Sequence, residues 1–120
     1  MKKLAVIGLG LFFAAAFAVD LLAADSAPEK SVTGTLEDSY CYGSMGAKGA
    51  SHKQCAIVCV KKGIPISLVD SSGNIYVLLP PKNAEPMPDD VISKMEDKVT
   101  VTGKEYSKGG VNFLTAESVK

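Results

Sequence analysis

The chain of 120 residues contains no arginine and no tryptophan, and it has one histidine and three cysteines. Without arginine it lacks the side chain best suited to bidentate contacts with phosphate groups or guanine. Thirteen lysines are balanced by thirteen acidic residues, so there is no net positive charge to attract a polyanion. These absences argue against a nucleic acid as the partner.

Aromatic residues are also scarce outside the N-terminus. Three of the four phenylalanines are Phe12, Phe13 and Phe17, which leaves Phe113 and four tyrosines for the rest of the chain. That is a thin supply of rings for stacking on bases. We find no phosphate-binding glycine loop, serine nucleophile elbow or zinc-protease motif.

The N-terminus has the three-part layout of a secretory signal: positive Met1–Lys3, apolar Leu4–Val19, then small residues around Ala24. The apolar run is shorter than the roughly 20 residues of a spanning helix, and no later run approaches that length. We therefore expect residues 1–24 to be a cleaved signal peptide, with Ala18 as the other candidate cleavage point. The expected location is periplasmic or secreted, with no membrane span after cleavage.

Removal of 24 of the 120 residues leaves 96, enough for one domain with a modest core. Residues 25–30 are predicted to be a polar tether, and residues 31–120 the domain. Eleven lysines and twelve acidic residues remain in this mature chain.

Alternating apolar and polar residues predict several strands. Val32–Leu36 alternates as a first strand should, and we expect it to run on into Tyr40–Tyr42 before a glycine-rich loop at residues 43–50. Ile64–Asp70 and Asn74–Leu79 predict a hairpin across a three-residue turn.

Two helices are predicted between these strands and the end of the chain. Ser51 and Gln54 have the spacing of a capping box, which predicts a helix over His52–Lys62, ended by Gly63 in the left-handed conformation. A short helical turn is predicted over residues 88–95, starting at Pro88. The order is then strand, helix, hairpin, short helix and hairpin.

The last hairpin carries a family resemblance. Val99–Gly103, a turn at Lys108–Gly110 and a strand over Val111–Val119 resemble the end of small exported bacterial OB-fold proteins, and Val32–Thr35 resembles their first strand. The resemblance implies a mainly β (α+β) fold: a five-stranded OB-like barrel, here with one inserted helix and one short helix. Many such proteins have no assigned activity, so the resemblance implies little about chemistry.

The candidate chemistry lies in one short window that holds Cys41, His52, Cys55 and Cys59. At about 100° per residue, the last three fall on one helical stripe about 60° wide, and Cys41 can close the group from the first strand. Three thiolates and an imidazole suit tetrahedral zinc, and thiolates alone suit Cu(I). We predict a copper or zinc ion bound by these four residues, with Met45 as a weaker auxiliary ligand for copper.

A disulfide is the alternative interpretation. Exported proteins often pair their cysteines, and Cys41 bonded to Cys55 or Cys59 would explain the composition without a metal. A Cys55–Cys59 bridge is disfavoured, because Cβ atoms at i,i+4 in a helix are about 5–6 Å apart and a disulfide needs roughly 3.5–4.5 Å. His52 would then face solvent, and the domain would be a stapled module that binds a protein or glycan.

Catalysis is not expected. A cysteine nucleophile could use His52 as a base, but no third residue that would orient the imidazole is evident in the sequence. The paired carboxylates Asp89–Asp90 and Glu96–Asp97 read as solvated surface on a short helical turn. We therefore predict metal binding or delivery rather than turnover, with no catalytic residues.

Overall fold

The computed structural model describes residues 27–120, so the predicted signal peptide, residues 1–24, lies outside the described part of the chain. The secondary structure elements in chain order are β1 (Glu29–Asp38), α1 (Ser39–Met45), a 3₁₀ turn (Ala50–His52), α2 (Lys53–Lys61), β2 (Ile66–Asp70), β3 (Ile75–Leu79), α3 (Asp89–Ile92), β4 (Lys98–Lys108), β5 (Val111–Thr115) and β6 (Ser118–Val119).

Five strands close into a barrel in the order β1, β2, β3, β5, β4 and back to β1. The β3–β5 pairing is parallel and the other four pairings are antiparallel. The short β6 pairs with β4 at Val101 and Thr102. This closed mixed barrel confirms the predicted mainly β, OB-like architecture, and closure leaves its five strands without an open sheet edge.

Alternation along the strands builds the core. In β1, Val32 and Leu36 are buried while Thr33 is exposed. The inward side chains of the other strands, together with residues from α2 and the segment around α3, complete one cluster. Its members with no more than 3% exposure are Leu36, Ala56, Ile66, Leu68, Val91, Met95, Val101, Leu114 and Ala116. The last two residues of β1 depart from this pattern, because Glu37 and Asp38 are both acidic and both buried.

The chain after β1 is a helix, so the predicted strand through Tyr40–Tyr42 is wrong, and the predicted loop over 43–50 is confirmed only for residues 46–49. Asp38 caps the helix α1: its Oδ1 accepts a hydrogen bond of 2.8 Å from the backbone N–H of Cys41. Gly46, with φ of +65°, ends the helix in the left-handed conformation. A single N-cap carboxylate thus turns the chain out of the sheet, and it takes Cys41 with it.

The other predicted elements are confirmed with shifted bounds. The hairpin β2–β3, the short helix α3 and the hairpin β4–β5 form where expected, although the predicted strand Val111–Val119 breaks into β5 and β6. The capping box of Ser51 is wrong, since His52 occupies the N-cap position of α2 and makes no side-chain cap. Two residues of the predicted tether belong to the sheet, because β1 begins at Glu29. Among the described residues, the helices are too short and too polar to cross a bilayer.

Gly103 marks the closest approach between two strands. A Cβ built on this residue of β4 would collide with the carbonyl oxygen of Thr115 on β5. We expect Gly103→Ala to lower the free energy of unfolding by about 1–3 kcal/mol, as overpacking does elsewhere. Urea unfolding would measure this loss. Gly43→Ala is the matched control: nothing lies within 4 Å of its Cβ, and alanine favours the helix α1. Equal midpoints for the two variants would contradict the prediction.

Candidate metal centre

Three thiols meet between the two inserted helices. Cys41 lies on α1, and Cys55 and Cys59 lie one turn apart on α2. Their three sulfur atoms are within 4.8 Å of one another, and all three cysteines are free. The helical stripe predicted for Cys55 and Cys59 therefore faces Cys41, which reaches the stripe from a helix rather than from a strand.

The thiol cluster, Cys41, Cys55 and Cys59, runs from the surface to the interior. Cys55 is exposed, Cys59 is half-buried, and Cys41 is only 5% exposed. Burial raises the pKa of Cys41 to about 12, and the neighbouring Asp38 adds to the shift. Burial also raises the pKa of Cys59, with Cys55 as the second cause. A positive ion would replace these protons, because a bound metal stabilises the thiolates that burial disfavours.

His52 does not share the position of the two helical cysteines. It forms a second group with Asp38 and Cys41, again with donor atoms within 4.8 Å of one another. The predicted stripe fails at His52 because this residue ends the 3₁₀ turn and precedes α2, so the phase of 100° per residue does not reach it. The interpretation of His52 as a solvent-facing residue is also wrong, since its side chain is 13% exposed.

Two buried carboxylates flank the imidazole of His52. Its Nδ1 lies 2.8 Å from Oε1 of Glu96, and its Nε2 lies 3.5 Å from Oδ2 of Asp38. The other oxygen of Glu96 accepts a hydrogen bond of 2.6 Å from the backbone N–H of Gly49. Glu96 therefore ties the loop before α2 to the segment after α3.

The interpretation of Glu96 as part of a solvated carboxylate pair is wrong for this residue. Its side chain is fully buried, whereas Asp97 is half exposed and pairs with Lys53 at 2.6 Å. Glu96 has a φ of +65°, a left-handed conformation that is uncommon outside glycine. Strained backbone of this kind clusters at functional sites, where the surrounding contacts hold it in place.

A third buried acidic residue, Glu37, lies beside Asp38 and Glu96. Desolvation is the largest cause that raises the pKa of Glu37 to about 8, and a hydrogen bond with the adjacent Glu96 carboxyl group is the second. Three acidic side chains, Glu37, Asp38 and Glu96, are therefore gathered in the interior.

One sequence signal could have found Asp38. The alternation that turns Val32, Gly34 and Leu36 inward also turns residue 38 inward, so an aspartate at that position predicts a buried carboxylate. Nothing comparable exists for Glu96, because its direction depends on one left-handed backbone angle.

Comparisons with protein family models, with curated proteins and with solved structures each found no match for this chain. The assignment of the site therefore rests on its geometry alone. Within residues 27–120, Cys41, Cys55 and Cys59 form one group able to hold a metal ion, and Asp38, Cys41 and His52 form another.

The gradient of burial predicts the order in which the thiols react. In metal-free, reduced protein, an alkylating reagent should modify Cys55 first, Cys59 next and Cys41 last, because the thiolate is the reactive form and burial disfavours it. Peptide mapping by mass spectrometry at successive times would measure the three rates. The same chain in denaturant is the control, where the rates should converge. Equal rates for Cys41 and Cys55 in the folded protein would contradict this gradient.

Glu37 predicts a pH dependence of stability. Folded Glu37 keeps its proton up to about pH 8, whereas an unfolded glutamate loses it near its ordinary pKa of 4.5. Unfolding therefore releases a proton between these values, and metal-free protein should become less stable as the pH rises from 5 to 8. A loss of even about 1 kcal/mol would lower the thermal midpoint of a domain this size by about 4–8 °C.

The variant Glu37→Gln should weaken this pH dependence, since the amide is neutral at every pH. Thermal unfolding at a series of pH values in the presence of a chelator would measure it. The exposed Glu29, changed to Gln, is the matched control and should keep the wild-type slope. An unchanged slope in the Glu37 variant would show that another group titrates.

Proposed function

We propose that this protein is an exported domain that binds a copper or zinc ion through the thiol cluster and passes it on, without catalysing a reaction. The single observation that carries this proposal is the convergence of three free sulfur atoms, from two different helices, within 4.8 Å of one another. Cys41 lies on one helix and Cys55 and Cys59 on the next, and burial disfavours the charged form of Cys41 and Cys59.

The donor set supports a soft ion. Thiolates select Cu(I) and zinc over the harder divalent ions, which prefer oxygen. Cu(I) is satisfied by the three sulfurs, and zinc would need a fourth donor such as a water molecule. Met45, the predicted auxiliary ligand, is 67% exposed at the end of α1 and does not belong to the cluster.

The gradient of exposure supports delivery rather than permanent storage. Structural zinc sites are closed by four protein ligands, whereas here Cys55 stands at the surface. An incoming donor from a partner can replace an exposed ligand first and a buried ligand last. The buried Cys41 would therefore hold the ion while exchange begins at Cys55.

Export is part of the same proposal and is supported by the signal-like residues 1–24. In an oxidising compartment, neighbouring thiols form disulfides unless something occupies them. A bound ion would protect the thiol cluster, and its loss would leave a stapled protein. The metal and disulfide interpretations thus make opposite statements about the thiols of the native protein.

The test is to express the full chain in a bacterium and recover it from the periplasm without reductant. We expect a shortened mature mass, about one copper or zinc ion per chain, and three alkylatable thiols after chelation. Cys55→Ser and Cys59→Ser should each weaken Cu(I) binding at least about tenfold in competition with a chromophoric chelator, since even the loss of outer contacts to a metal ligand costs 10–100-fold.

Val58→Ser is the matched control, because Val58 lies on the same helix and is 50% exposed. Its affinity for Cu(I) should equal that of the wild type. Recovery of metal-free protein with Cys41 bonded to Cys55 or Cys59 would overturn the proposal in favour of a disulfide-stapled module.

A further inference from the structure

Two buried acceptor atoms face each other beside the thiol cluster. Oδ2 of Asp38 and Nε2 of His52 are 3.5 Å apart, and neither has a hydrogen-bond partner. The Asp38 side chain has no exposed surface, and both atoms are shielded from solvent. Buried polar atoms without partners are rare in native proteins, and each one requires an explanation.

The hydrogen bond between Nδ1 of His52 and Glu96 determines whether Nε2 presents a hydrogen or a lone pair to Asp38. Nδ1 lies 2.8 Å from Oε1 of Glu96, and when Glu96 is ionised this oxygen can only accept, so Nδ1 carries the hydrogen. In the neutral ring, Nε2 then bears a lone pair that points toward Asp38. In that state two lone pairs face each other in a dry interior, and this arrangement is costly unless a proton or a metal cation lies between them.

We propose that Asp38, His52 and Cys41 form an inner site for a divalent ion of the zinc class. The donors would be Oδ2 of Asp38, Nε2 of His52 and the Cys41 sulfur, since one ligand atom of each of these residues lies within 4.8 Å of the other two. Two ligands about 2.0–2.1 Å from zinc at a tetrahedral angle are about 3.4 Å apart, and the oxygen and nitrogen here are 3.5 Å apart. Glu96 is a positioning residue, since a carboxylate on the second ring nitrogen orients a metal-binding histidine.

Charge supports a divalent ion. One carboxylate, one thiolate and one neutral imidazole carry two negative charges, which an ion of charge +2 cancels in a buried place. On binding, the S–H bond of Cys41 breaks, a metal–sulfur bond forms and the proton passes to water. Oxygen and nitrogen donors favour zinc over Cu(I), so this site differs in preference from the thiol cluster.

Cys41 belongs to both sites. The inner site does not need Cys55 or Cys59 to bind an ion. Only a state in which Cys41 bridges two ions, one in each site, rests on the function proposed above. The two proposals can therefore be separated by removing the outer thiols, which leaves the three inner donors in place.

The test uses the full chain with Cys55→Ser and Cys59→Ser combined, titrated with zinc and with Co²⁺ as a spectroscopic probe. We expect one ion per chain, a thiolate-to-cobalt charge-transfer band with the intense visible bands of tetrahedral cobalt, and a thermal midpoint that rises with zinc. Absence of zinc binding and of the cobalt spectrum in this variant would overturn the inner site. Loss of Cu(I) binding by the same variant tests the thiol cluster separately.

Asp38→Asn in this background is the sharpest variant. The asparagine oxygen can still cap α1, and its amide can donate to Nε2 of His52, which satisfies the unpartnered pair. Without metal, its thermal midpoint should therefore equal or exceed that of the parent, while zinc affinity falls at least tenfold. Asp97→Asn is the matched control, because Asp97 pairs with Lys53 outside the site. It should bind zinc as the parent does.

An unchanged zinc affinity in the Asp38→Asn variant would overturn the assignment, whatever the thermal midpoint of that variant. Should the asparagine variant fail to fold, His52→Gln provides the second test. It removes Nε2 as a ligand and should abolish the tetrahedral cobalt spectrum in a chain whose circular dichroism matches the parent. Retention of that spectrum would overturn the proposal.

Discussion

The burial of Asp38 is the constraint on which the rest of the site depends. One oxygen of this carboxylate caps α1 and so ends the first strand, and the other faces His52 without a hydrogen-bond partner. The cap carries Cys41 out of the sheet and over α2, where the other two thiols lie. A single inward side chain thereby joins the end of a barrel strand, the start of a helix and both candidate ion sites.

The barrel makes this arrangement rigid. The β1–β2 pairing positions the end of β1, because Glu37 and Asp38 pair with Ser67 and Ile66, and the insertion between β1 and β2 must leave and return to these neighbouring strands. Ala56 and Val60 of α2 are buried in the core, which sets the rotation of the helix and turns Cys55 and Cys59 toward α1. A hydrophobic face on one side of α2 thus determines what its other side presents.

Much of the fold could be predicted because its signals are local. Strict alternation in Val99–Gly103 and turn residues at Ser71–Gly73 predict hairpins from periodicity and turn chemistry alone. The helix α1 could not be found in this way, since its segment Ser39–Met45 has no apolar stripe and forms because Asp38 supplies a cap. The sequence predicts the helix α2 with a capping box at Ser51. In the structure His52 is the N-cap residue instead, and its side chain contacts Asp38 and Glu96.

For the candidate site, the sequence by itself determined which donors exist: three thiols and one imidazole within nineteen residues, two of the thiols one helical turn apart. Only the tertiary structure decided that His52 joins Asp38 rather than the outer thiols, and that Glu96 turns inward to hold the ring. Helical phase depends only on the spacing of residues within one segment, so it can be predicted from the sequence. The pairing of residue 52 with residues 38 and 96 depends on how separate segments pack on the barrel, so no local periodicity of the sequence predicts it.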